Sequence, residues 1–150
     1  MKSCSTVPGS GPCAWAASAV LAMSVIWTQP ASAETNFELE LKETGKRDYY
    51  CTATFALTAQ ASAAFQDVNG YFYVFVDDDQ VGRSKGASFR FGDGEASASA
   101  VFETPNAPCD EVNGYRFVVG ACMRGNSFMD RAACASAITP VAPVQEITAR

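Results

Sequence analysis

Val68-Asn69-Gly70-Tyr71-Phe72-Tyr73-Val74-Phe75-Val76-Asp77-Asp78-Asp79 is the stretch that decides the fold class. Every side chain from Tyr71 to Val76 is aromatic or β-branched, the types that suit a pleated surface and lose rotamer freedom in a helix. Asn69-Gly70 precedes the run and three aspartates follow it, so it reads as a central strand bounded by turns. The same grammar repeats outward in both directions. Phe37-Glu38-Leu39-Glu40-Leu41-Lys42 alternates apolar with charged, as a sheet with one wet face requires. Thr44 to Asp48 reads as a turn. Tyr49 to Ala59 is a second strand, with Tyr49, Cys51, Ala53, Phe55 and Leu57 on one face. Downstream, short strands are expected over 80–83, 87–91 and 97–103. Pro105-Asn106-Ala107-Pro108 breaks the pattern and Tyr115 to Ala121 resumes it. Residues 123–131 read as irregular, Ala132 to Thr139 as a last strand or a short helical turn, and 140–150 as a flexible tail. About seven strands at this spacing predict an all-β, immunoglobulin- or fibronectin-III-like two-sheet sandwich.

The start of the chain reads as a secretory leader. Lys2 lies in a sparse charged region, an apolar run extends from Ala14 to Trp27, Pro30 breaks it, and Ala31-Ser32-Ala33 is a small-residue cleavage site. The apolar run is 14 residues, short of the roughly 20 that a spanning helix needs. No membrane anchor is therefore expected after cleavage behind Ala33, and the destination is the periplasm or the extracellular space. The organisation follows as leader 1–33, sandwich 34–139 and tail 140–150. Trp15 and Trp27 both leave with the leader, which removes a tryptophan-stacking sugar site, and loss of Lys2 takes the net charge from −5 to −6. An acidic surface argues against nucleic acid and anionic lipid, which are bound by Lys and Arg, and favours basic partners. The sequence contains no His. Ser-His-Asp and Cys-His catalysis, His-ligated zinc and a histidine pH switch are excluded with it.

Four cysteines remain behind the leader: Cys51, Cys109, Cys122 and Cys134. An even number in an exported domain of this size reads as two disulfides. No C-x-x-C spacing exists to suggest a metal site or a redox pair. In a sandwich of this topology the second and sixth strands begin at the same end. Cys51 opens the second and Cys109 lies just ahead of the sixth, so the expected pairs are Cys51 with Cys109 and Cys122 with Cys134.

The stretch from Cys51 to Glu103 resembles the bacterial FxLyD-type module, a small immunoglobulin-like sandwich of exported proteins. Phe75-Val76-Asp77-Asp78-Asp79-Gln80-Val81-Gly82 is similar to that family's apolar strand, acidic turn and following Val-Gly, and Gly94-Glu95 before Ala100-Val101-Phe102 is similar to its Gly-Glu turn. Two departures stand out: Ala59-Gln60-Ala61-Ser62-Ala63-Ala64 replaces an Asn-rich turn, and Asp93 stands where a Pro is usual before Gly-Glu. The resemblance implies fold and export and carries no catalytic residue. In size and architecture alone the chain is also similar to small secreted fibronectin-like bacterial proteins that mimic interleukin receptors.

Candidate sites are few. Asp77-Asp78-Asp79 offers the oxygens that calcium takes, but three consecutive turn residues cannot converge on one ion that wants six to eight ligands; a solvated turn is expected, as for Gly92-Asp93-Gly94-Glu95. Arg83-Ser84-Lys85-Gly86 is the densest basic patch and suits an edge strand, where charge blocks pairing. Ser84 and Lys85 make no catalytic dyad, because adjacent strand residues point to opposite faces. The segment between Cys122 and Cys134 is the best binding candidate, since a stapled loop has little entropy left to lose. Its Arg124, Phe128, Met129 and Arg131 are the residues expected to contact a partner, all three of these types being enriched at interfaces. Its two methionines without His are thin support for copper. Tyr49-Tyr50 and Tyr71-Phe72-Tyr73 put aromatics on both faces of their strands, so one set is either an exposed patch for a partner or a second copy, or is covered by another segment. No metal or cofactor is assigned. The expected function is a non-catalytic protein-binding or structural module of the envelope, the alternatives being an inhibitor of a secreted enzyme acting through 123–133, or a hydrolase using two carboxylates about 5 to 9 Å apart.

Overall fold

Two antiparallel ladders grow from the alternating stretches. The computed structural model describes residues 37–60 and 65–150; the expected leader and its cleavage site lie outside the described residues. In the first sheet β1 (Phe37–Arg47) pairs with β2 (Tyr50–Ala59), which pairs with the strand Ser97–Pro105, while Ile138–Pro140 runs parallel to β1 on the far edge. The second sheet centres on β3 (Asp67–Val76). One side of β3 carries β4 (Asp79–Arg83) and β5 (Ala87–Arg90) end to end; Ser97–Pro105 is then β6 in chain order. The other side carries β7 (Gly114–Arg124), which continues into the short β8 (Ser127–Phe128). A helix α1 (Arg131–Ser136) leads to β9, the Ile138–Pro140 strand, and then to β10 (Val144–Ala149), parallel to β7. This is a two-sheet, all-β sandwich, stapled by Cys51–Cys109 and Cys122–Cys134 as the strand order predicts.

Three local expectations change. The Thr44–Asp48 turn is instead the second half of β1, which bulges between Leu41 and Glu43 and reverses at Asp48, a left-handed residue with φ 51°. Residues past Lys42 are exposed, so no alternation marks them, yet the ladder to Cys51–Thr54 still supplies backbone partners. The tail expected over 140–150 is instead β10. Its Val144 is buried and Ile147 half-buried against the core, and its hydrogen-bond partner lies in distant β7, which periodicity within six residues does not reveal. Among the described residues the strands number ten rather than about seven; β8 and β9 account for two of them with two and three residues.

The core is aromatic. Phe72 stacks on Phe55 across the sandwich at 4.0 Å and meets Phe102 edge-on at 4.6 Å and Phe117 at 4.8 Å; all four are buried. Gly70 permits this, because a Cβ there would stand 2.5 Å from both the Phe117 ring and the Val118 carbonyl. Ser84, buried between β4 and β5, bridges their break: its Oγ accepts from the Phe72 amide at 2.8 Å and donates to the Lys85 carbonyl at 2.9 Å. Lys85 then turns its amide to the Glu103 carbonyl on β6, in the other sheet, at 2.7 Å.

Two stability predictions follow from this packing. Gly70→Ala overpacks the contact with Phe117 and is expected to lower the unfolding free energy in urea by about 1–3 kcal/mol. The closed loops span 58 and 12 residues, worth about 4 and about 3 kcal/mol by loop-closure entropy. Cys51→Ala with Cys109→Ala should therefore lower the urea midpoint further than Cys122→Ala with Cys134→Ala.

Candidate functional site

The segment between Cys122 and Cys134 is built by short-range rules. β7 carries Arg124 to a two-residue turn in which Gly125 takes φ 56°, the left-handed first position of II′ hairpin turns. Ser127 returns opposite Arg124 and Phe128 opposite Met123. The turn is tied to the body where the Gly125 amide donates to Gln66 Oε1 at 3.0 Å and the Met129 amide to the Cys122 carbonyl at 2.9 Å. Asp130 then caps α1, its Oδ1 accepting from the Ala133 amide at 2.8 Å. Cys122 and Cys134 are fully buried beneath, their Cα atoms 6.4 Å apart. Residues 123–131, expected to be irregular, thus form a hairpin leading to a helix cap, while 132–139, expected as a last strand or a short helical turn, hold the rest of α1 and the start of β9.

The four residues singled out from the sequence separate here. Phe128 is 76% exposed. Met129, next in line and therefore facing the other way, packs on the core. Arg124 is exposed at the hairpin, and Arg131 donates to the Arg150 carbonyl at the end of β10. Only Phe128 presents a large apolar side chain to solvent from this segment.

Other candidates resolve into structural roles. Asp77 lies at the β3–β4 turn with φ 53°; its amide donates to Asn113 Oδ1 at 2.8 Å, and Asn113 Nδ2 donates back to Asp77 Oδ1 at 2.9 Å. Among the described residues no three acidic or cysteine side chains are grouped to hold a metal ion. Lys85 pairs with Glu103 at 3.0 Å, away from the buried Ser84 hydroxyl. At the Cys51–Cys109 end, a cavity of about 120 Å³ is lined by Thr52, Thr104, Asp110 and Tyr115 among others. That is the volume of about four waters, with one carboxylate. Burial raises the Tyr115 phenol above its ordinary range.

The tyrosines take opposite fates. Tyr49 is 79% exposed at the β1–β2 turn. Tyr71 and Tyr73 are half-buried on the outer face of the second sheet, and among the described residues arginines lie against them; the N-terminal segment lies outside the described residues. Arg83 lies over the Tyr71 ring, 3.8 Å from its centroid. Arg150 reaches both phenol oxygens at 3.4 Å, and this hydrogen bond, ahead of every other influence, holds the Tyr71 phenol below its ordinary range. Sequence reading missed the cluster because it placed Arg150 in a free tail. The signal available was composition alone, the β-branched Val144, Ile147 and Thr148.

No protein-family model matches this chain, and none of the curated proteins does. Among solved structures it is similar to IrmA from Escherichia coli, with a TM-score of 0.52 at 11% identity over 71% of this chain and 92% of that one. At such identity the likeness is one of fold.

In an ultraviolet titration Tyr71 is expected to ionise before Tyr115. Tyr71→Phe should remove the earlier component and Arg150→Gln should move it to higher pH; an unchanged first component in Tyr71→Phe places the early phenol elsewhere.

Proposed function

We propose that this protein is an exported, non-catalytic protein-binding module of the cell envelope, with the hairpin tip at Gly125–Phe128 as its contact surface. The observation that carries the reading is Phe128, an aromatic ring held in solvent on a two-residue turn whose base is fixed by a buried disulfide. A ring presented in this way loses little entropy on docking, and aromatic anchors dominate protein interfaces. The two disulfides fit an oxidising compartment. Among the described residues no helix is long and apolar enough to cross a membrane. The likeness of Cys51–Glu103 to FxLyD-type modules agrees with that setting.

The alternatives draw less support. An inhibitor acting through 123–133 presents an extended segment to a cleft, whereas this segment folds back on itself and turns Met129 inward. A hydrolase of the two-carboxylate kind needs a facing pair, and the cavity beside Tyr115 has Asp110 alone.

The test is photo-crosslinking from native envelope and medium with the oxidised protein and its Phe128→Ala variant. The expected result is one crosslinked partner whose recovery falls about tenfold in the variant, while the unfolding free energy stays within about 0.5 kcal/mol of the parent. Equal recovery by both proteins, or self-association alone, overturns the reading.

A further inference from the structure

On the outer face of the second sheet, Tyr71 and Tyr73 stand two apart on β3 and so point the same way, their rings edge to face at 5.5 Å. β4 brings Arg83 level with Tyr73 and over the Tyr71 ring. β7 brings Arg116 level with Tyr73 from the other side, and Arg150, the residue after β10, bonds both phenols. An open groove of about 340 Å³ is lined by Tyr71, Tyr73, Arg116 and Arg150 and floored by buried Val118; Arg83 flanks it at the Tyr71 ring. One carboxylate enters it: Glu146 Oε2 lies 2.6 Å from Arg116 Nε, off hydrogen-bond alignment, leaving that buried nitrogen without a directed acceptor.

Two guanidiniums therefore share the groove with one acid, and a third, Arg83, stands beside it on the Tyr71 ring. Among the described residues neither Arg83 nor Arg150 is in an ion pair; each is held by a phenol, a neutral group. Two cations on one tyrosine repel each other, and a guanidinium fork is shaped for a carboxylate. The chain as a whole carries a net charge of −5, which favours basic partners, and this face inverts that preference.

We propose that the groove docks an acidic segment of a partner protein, whose carboxylates engage Arg83 and Arg150 while its backbone and apolar groups lie on Tyr71 and Tyr73. Tyr and Arg are the side chains that concentrate affinity at protein interfaces. A dense polyanion such as a sulfated glycan or nucleic acid fits less well, because Glu146 sits in the groove and the surrounding surface is acidic. A segment with spaced carboxylates avoids both. This surface is separate from the Phe128 tip and stands or falls independently of it.

The experiment is an amide chemical-shift titration of the oxidised protein with a short peptide of alternating Glu and Ala. Saturable shifts are expected at Tyr71–Tyr73, Arg116 and Thr148–Arg150, with affinity falling about fivefold as salt rises to about 0.3 M. The exposed pair Arg83→Gln, Arg150→Gln should weaken binding about tenfold at an unchanged urea midpoint, and Phe128→Ala should bind as the parent does. The proposal is overturned if these residues do not shift, if a Lys-Ala peptide binds equally, or if a sulfated oligosaccharide binds the same face as tightly as the Glu peptide.

Discussion

The stacking of Phe72 on Phe55 is the contact on which the rest of the structure depends. It joins the central strand of one sheet to the second strand of the other at 4.0 Å between ring centres, and Tyr115 closes over both rings at 5.1 and 5.9 Å. Sheets packed face to face lie about 10 Å apart, a gap that paired rings fill and aliphatic side chains fill less completely. Seven phenylalanines are almost wholly buried in this layer. Of the disulfides, Cys122–Cys134 lies within the buried cluster and Cys51–Cys109 is half-buried; both limit the unfolded chain.

An interior of this kind leaves chemistry to the surface. Thr104 and Ser84 are the only buried polar residues among those described, and Ser84 is occupied in joining β4 to β5. Recognition then has two places to reside, with different physics. The Phe128 tip offers apolar area on a stiff support, and the arginine–tyrosine face offers charge and hydrogen-bond donors on a flat one.

Much of the fold was legible because local rules and the tertiary structure agree. Tyr71–Val76 is β-prone and central, the Asp77–Asp79 reversal carries turn residues, and Cys51 and Cys109 flank strands that start at one end. What was not legible lies where a strand's partner is remote. β10 contains Gln145 and Glu146 in water and only Val144 buried, so six residues show no strong pattern until β7 is placed beside them. Placing Arg150 in a tail hid the groove as well. In the stapled segment, residue types were informative but facing was not: Phe128 and Met129 are adjacent, and only the direction of the core decides which of them reaches solvent.

The main chain also crosses between the sheets on both flanks of the sandwich. On one flank Lys85 leaves the β4–β5 edge to bond Glu103; on the other, the run from β9 to β10 bonds Leu39 in the first sheet through Val141 and Tyr115 in the second through Pro143. Each crossing interrupts the row of free amides and carbonyls along which a foreign strand would add. Templated, fibre-like growth through these edges is thereby hindered, and association of the folded protein is left to contacts between side chains, which form and release without recruiting backbone.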